Sequence, residues 1–202
     1  MLDIYHVAGT RSLRVIWLCE ELGLAYRPIP VDFSAAYRAT PAWRALNPVG
    51  KVPVMKDGEL TLFESGAMVQ YLVDRYGDGR LQPPPGTPEH ARYLQWSWFA
   101  ESTFARPLGE MVNHRREFPD AEVPAVLEEM ARRTELCLHA VADATAEGPY
   151  LLGDAFSAAD VMMGYSLFLS EHLIPDRLPD GVLPYWQRLA ARPAFQRARA
   201  VP

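Results

Sequence analysis

The sequence predicts a small α/β domain followed by an all-helical one. Three observations carry that expectation. Up to Tyr76 the apolar spacing alternates between strand and helix periods, in the order β-α-β-α-β-β-α. A stretch dense in proline and glycine, "GDGRLQPPPGTP", then runs from Gly77 to Pro88, the composition of a domain boundary. Every segment after it has helical spacing. The expected division is residues 1–77, a linker at 78–88, and 89–202. In the first part helices pack on a mixed sheet.

Each element has its own reason. Leu2 to His6 is a short β-like run. Val15, Leu18, Cys19 and Leu22 lie on one face of a helix from Leu13 to Leu22, and Gly23 stops it. Ala25 to Val31 reads as a second strand. Ser34 to Leu46 is a weak helix carrying Tyr37, Trp43 and Leu46, interrupted by Pro41. Val52 to Met55 and Leu60 to Phe63 are strands joined by the turn Lys56-Asp57-Gly58-Glu59, a hairpin signal. Ser65 to Tyr76 places Met68, Val69, Leu72, Val73 and Tyr76 on one helix face. Beyond the linker, Glu89 to Arg116 carries Tyr93, Trp96, Ala100, Phe104, Leu108 and Met111 on one stripe. Val123 to Ala146, Ser157 to Glu171, Leu183 to Ala191 and a short segment from Pro193 complete the helices.

The totals exclude several functions. A chain of 202 residues is enough for a real core. A net charge of −5 argues against nucleic acid as a partner. The longest apolar run, Val161 to Leu169, contains Gly164 and Ser166 and falls short of the ~20 residues that span a bilayer, so no membrane partner is expected. No basic start is followed by an apolar stretch, so no signal peptide is expected. Cys19 and Cys137, far apart inside helical patterns, read as buried free thiols in a reducing compartment, with a disulfide as the second reading, and the expected location is cytoplasmic. His6, His90, His114, His139 and His172 show no metal-binding spacing, and no metal is expected.

Four motifs remain. Ser157 and Asp160 in "FSAAD" form a capping signature, a folding element. Glu64-Ser65 opens a helix. It reads either as a cap with a helpful acid, or as an anion site in which Ser65 takes a carboxylate and Glu64 an ammonium, as for an amino-acid head group. Val52-Pro53, after Gly50-Lys51, is either an ordinary strand start or a cis bond exposing the Val52 backbone as a docking edge for an extended peptide. Thr10 and Ser12 lie where the first strand turns into the first helix. They are caps, or donors that favour a thiolate. One ligand supplies all three parts: a γ-glutamyl-cysteinyl-glycine peptide.

On "RSLRVIWLCEELGL" (11–24), "LNPVGKVPVM" (46–55), "LFESGAMVQYL" (62–72) and "YLLGDAFSAADVMM" (150–163), the chain resembles the cytosolic glutathione S-transferases, of bacterial type. The resemblance covers nearly the whole chain. It implies a thioredoxin-like N-terminal domain and an all-α helical-bundle C-terminal domain contributing the electrophile pocket, with the protein a homodimer. It implies glutathione as co-substrate, a cis bond before Pro53, and a glutathione site at Lys51, Val52, Pro53, Glu64 and Ser65. Anchored on Arg14-Val15, the catalytic hydroxyl of the serine-type classes falls at Gly9 or Thr10. The cysteine of the cysteine-type class falls at Thr10 or Arg11, where this chain has none. Thr10 is the first choice, Ser12 the second, and Arg11 a charge partner. Tyr5 is read as structural. Trp98, Phe99, Phe104, Met111, Tyr165 and Phe168 are candidates for the pocket of a hydrophobic electrophile. The implied activity is transfer of alkyl or aryl groups to glutathione, in detoxification. The alternatives are a glutathione-dependent peroxidase or reductase, and a non-catalytic glutathione-binding protein of the same fold.

Overall fold

The computed structural model describes residues 1–202. They group into two compact units, residues 1–80 with 191–202, and residues 81–190.

The first unit runs β1 (Leu2–His6), α1 (Ser12–Leu22), β2 (Tyr26–Pro30), α2 (Ala35–Arg38), α3 (Pro41–Leu46), β3 (Val54–Asp57), β4 (Leu60–Phe63) and α4 (Ser65–Tyr76). The four strands form one mixed sheet in the order β2-β1-β3-β4. β1 and β2 are parallel, joined through α1, while β1–β3 and β3–β4 are antiparallel. β2 is an edge strand, which is why it tolerates Pro28 and Pro30. The third strand begins at Val54, two residues later than its spacing predicts. Pro53 has no N–H to give a ladder, so Val54 is the first residue to pair, with Tyr5 on one side and Phe63 on the other. The Val52-Pro53 bond is cis. Ile4, Val15, Ile16, Trp17, Leu18, Val54, Met68 and Leu72 are buried completely and form the core between sheet and helices. Gly23, at φ 69°, ends α1 with its N–H on the Cys19 carbonyl.

The second unit is helical: α5 (Pro88–Trp98), a π-helical segment (Phe99–Phe104), α6 (Ala105–Glu117), α7 (Pro124–Ala144), α8 (Ala158–Leu173), two short 3-10 turns and α9 (Leu183–Ala190). The single long helix expected from Glu89 to Arg116 is thus interrupted. Pro107 is the cause: it lacks the N–H that would bond the Thr103 carbonyl, and its ring crowds that carbonyl. The ladder widens in the preceding turn, where the Ala105 N–H reaches the Ala100 carbonyl, and the buried Ser166 hydroxyl donates to the same oxygen at 3.3 Å. The capping box of "FSAAD" is formed at the start of α8. The buried Asp160 carboxylate accepts from Ser157 N–H (2.8 Å), Leu151 N–H (3.0 Å) and Tyr185 O–H (2.8 Å).

The last helix, α10 (Pro193–Arg199), belongs by its contacts to the first unit although it follows the second in sequence. Phe195 packs edge-on against Trp17 of α1 with ring centroids 4.9 Å apart. Arg192 makes a two-pronged ion pair with Glu21, and Arg197 reaches Glu20. No helix in the chain is long and apolar enough to cross a membrane.

Candidate functional site

A cleft in the first unit is lined by Arg11, Asn47, Lys51, Val52, Pro53, Glu64 and Ser65. Six of these seven are residues that the sequence singled out. They come from the start of α1, the loop before β3, and the corner between β4 and α4. At that corner Glu64 has φ 76° and ψ 108°, a conformation that a residue with a Cβ enters only under strain. Its side chain makes no cap bond to the helix, and Ser65 is the first helical residue rather than the cap. The capping role therefore accounts for neither residue. Glu64 stays exposed. Ser65 is 3% exposed, and its hydroxyl accepts from Nη1 of the fully buried Arg14 at 3.3 Å. An unbonded turn of helix N–H groups, a buried guanidinium behind the serine, and an exposed carboxylate beside it can receive a carboxylate and an ammonium together.

Asn47 is the member that the sequence reading missed. It is 3% exposed, and its side chain spans the loop, with Nδ2 donating to the Lys51 carbonyl (2.9 Å) and Oδ1 accepting from Val49 N–H (3.1 Å). The Gly50 N–H returns to the Asn47 carbonyl at 2.9 Å. Gly50 itself has φ 64°, and a Cβ there would stand 2.7 Å from the Arg38 carbonyl. The Asn47-Pro48 pair is a turn signal that would have pointed to it.

Thr10 and Ser12 lie outside the cleft lining, and their hydroxyls turn inward. Thr10 Oγ1 donates to the Val7 carbonyl (2.7 Å) and lies 2.7 Å from Ser12 Oγ. Ser12 is completely buried, 3.2 Å from the Val7 carbonyl and 2.7 Å from Nδ1 of His6. His6, 2% exposed, sets its Nε2 against the Val201 carbonyl at 3.3 Å. Burial lowers the His6 pKa below its ordinary 6.5, against a smaller opposing effect of the Val201 bond. Arg11 is the member of the Thr10–Ser12 segment that reaches the cleft.

Within the second unit, Phe104, Met111, Tyr165 and Phe168 are buried among its helices, whereas Trp98 is 65% exposed. No three His, Cys, Asp or Glu side chains converge as a metal site.

The family model "Glutathione S-transferase, N-terminal domain" matches residues 2–74. Glutathione S-transferase 3 of Zea mays is 30% identical over 195 residues, which are 93% of this chain and 88% of the maize protein. This chain belongs to the glutathione S-transferase family. Glutathione S-transferase 3 of Schizosaccharomyces pombe is 28% identical over 98% of this chain and 86% of its own length. Among solved structures, a glutathione transferase of Phanerochaete chrysosporium in complex with oxidized glutathione superposes with a TM-score of 0.87 at 26% identity, covering 98% of this chain and 94% of that one. The fold of this family member is a thioredoxin-like α/β part with its four-stranded mixed sheet, and a helical part.

Proposed function

We propose that this chain is a glutathione transferase that binds glutathione in the cleft of Arg11, Lys51, Val52, Pro53, Glu64 and Ser65 and aims its sulfur at an electrophilic carbon. The observation that carries the reading is the Glu64-Ser65 corner: a strained acid and a buried serine, neither used as a cap, in a chain of this family. Glu64 takes the ammonium of the γ-glutamyl group. Ser65, with the helix N–H groups and Arg14 behind it, takes the carboxylate. The Val52 backbone pairs with the cysteinyl part, and Lys51 lies at the rim. The thiol then falls toward the start of α1. A free thiol with pKa near ~8.5 is only a few per cent ionised at neutral pH, and a fall of roughly two units makes thiolate the main form, worth about 2.7 kcal/mol. The positive end of α1, the Arg11 guanidinium and the Thr10 hydroxyl are the groups that supply it, with Ser12 behind them.

We propose the remaining features on the support of the family resemblance alone. The second unit supplies the surface for a hydrophobic electrophile, the protein works as a cytoplasmic homodimer, and the reaction serves detoxification. Calorimetric titration with glutathione tests the central claim. Glu64→Ala and Ser65→Ala are each expected to weaken binding by about 1.5–3 kcal/mol with the fold intact. Unchanged affinity in both would remove the head-group site. Conjugation to a panel of aryl and alkyl halides then tests the chemistry, and sedimentation tests the dimer.

A further inference from the structure

His6 has no place in the cleft, yet its ring joins the C-terminal segment to the two hydroxyls at the start of α1 through a continuous chain of hydrogen bonds. We propose that His6 is a positioning residue that holds the single Ser12 proton at its Nδ1, leaving Thr10 as the one hydroxyl whose proton can turn to a bound thiol. The inference rests on the glutathione reading above and deepens it.

The assignment follows from counting protons. The Val201 carbonyl only accepts, so the hydrogen on the facing nitrogen belongs to Nε2 (3.3 Å). A ring that is 2% exposed, its pKa lowered by burial, is neutral near pH 7, so Nδ1 keeps its lone pair. Ser12 Oγ is 2.7 Å away and is the donor to that lone pair. A serine has one hydroxyl proton. Once it is given to His6, Ser12 has none for Val7, Thr10 or a ligand, and it offers Thr10 only an acceptor at 2.7 Å. Ser12 is also fully buried, whereas Thr10 is half-buried at the surface. The order of the two hydroxyls, open on sequence grounds, is thereby decided for Thr10. The Val201 carbonyl that sets the ring's tautomer sits just beyond α10, which Phe195, Arg192 and Arg197 fasten to α1. This gives the C-terminal segment a part in the chemistry at the opposite end of the chain.

Nitrogen NMR of the full chain with labelled histidine reads the tautomer directly. His6 is expected as the neutral Nε2–H form, with the Nδ1 resonance shifting in Ser12→Ala. Glutathione should shift that resonance further than S-methylglutathione does, because only a free thiolate draws the Thr10 proton away from its present partners, the Val7 carbonyl and Ser12 Oγ, each 2.7 Å away. A double-variant comparison reads the consequence for the sulfur, by thiolate absorbance against pH. In the otherwise unmutated chain, Ser12→Ala should raise the pKa of bound glutathione much less than Thr10→Val does. On a His6→Leu background the released Ser12 proton turns to Thr10 Oγ1, so the Ser12→Ala shift should grow. On a His6→Asn background, where the amide oxygen replaces Nδ1, it should stay small. An Nδ1–H tautomer, the same response to both ligands, or an equal Ser12→Ala shift on all backgrounds would overturn the proposal. Failure of the unmutated protein to bind glutathione in calorimetry would instead bring down the glutathione reading, and the role of His6 with it, even with the tautomer as stated.

Discussion

The backbone at Glu64 ties stability to ligand binding at one residue. A φ of 76° with ψ 108° costs a residue with a Cβ on the order of 1–3 kcal/mol. Glycine adopts it without that strain, but loses more freedom on folding. Glu64→Gly should therefore stabilise the chain by about 1 kcal/mol while weakening glutathione binding. Glu64→Ala keeps the strain and loses only the carboxylate. Urea unfolding of the two variants beside the unmutated protein, with glutathione titrations of all three, separates the contributions. Equal stability of the glycine and alanine variants would mean that the backbone at 64 stores no strain. At this scale the sequence told part of the story. Glu64 and Ser65 were legible because an acid and a hydroxyl opened a helix with clear apolar spacing. The positive φ was not, since nothing in "LFES" announces it. His6 was invisible because its partners, Ser12 and Val201, are set by tertiary packing, and a lone histidine in a strand has no spacing to read.

Among elements, α1 carries the site on one end and the C-terminal helix on its flank. Phe195 is completely buried against Trp17, which is itself completely buried. Removing that ring should open a cavity that two packed helices cannot close. Phe195→Ala is expected to destabilise the chain by about 3–5 kcal/mol, measured as the fall in the urea midpoint. Arg197→Ala breaks only an ion pair whose arginine is 57% exposed, and should cost far less. Similar losses in both would show that charge, not packing, holds α10. The element order from β1 to α4 was legible because periodicity and turn residues agree there. The return of α10 to α1 was not, since its seven residues, PAFQRAR, show an apolar face but not the surface it meets. The break before α6 was hidden by the regular stripe from Tyr93 to Met111, although Pro107 was its one visible cause.

For the molecule as a whole, the thiol chemistry has to come from glutathione, because the chain's own thiols are shut away. Burial, helped by Glu20, pushes the Cys19 thiol up to about 12, and burial pushes Cys137 up to about 11. Thiolate is the reactive form, so both are inert near neutral pH. A second consequence is a pH dependence of stability. The native state holds the Cys19 proton to about pH 12, whereas an unfolded cysteine releases it from its ordinary 9.0. Between those values the unfolded state binds fewer protons, so stability is complete below about 9 and falls as the pH rises toward 12. Chemical unfolding midpoints on either side of that lower bound should fall with pH, and Cys19→Ala should fall less steeply. The same burial predicts the outcome for activity. A chain with both Cys19→Ala and Cys137→Ala should keep its glutathione-dependent rate, since neither cysteine lines the cleft of Glu64 and Ser65. Alanine is the replacement of choice because a serine at a completely buried position would leave a hydroxyl in search of a partner. Loss of turnover in the double variant, with folding and glutathione affinity intact, would mean that a protein thiol enters the reaction, and would turn the reading toward a disulfide-exchanging reductase.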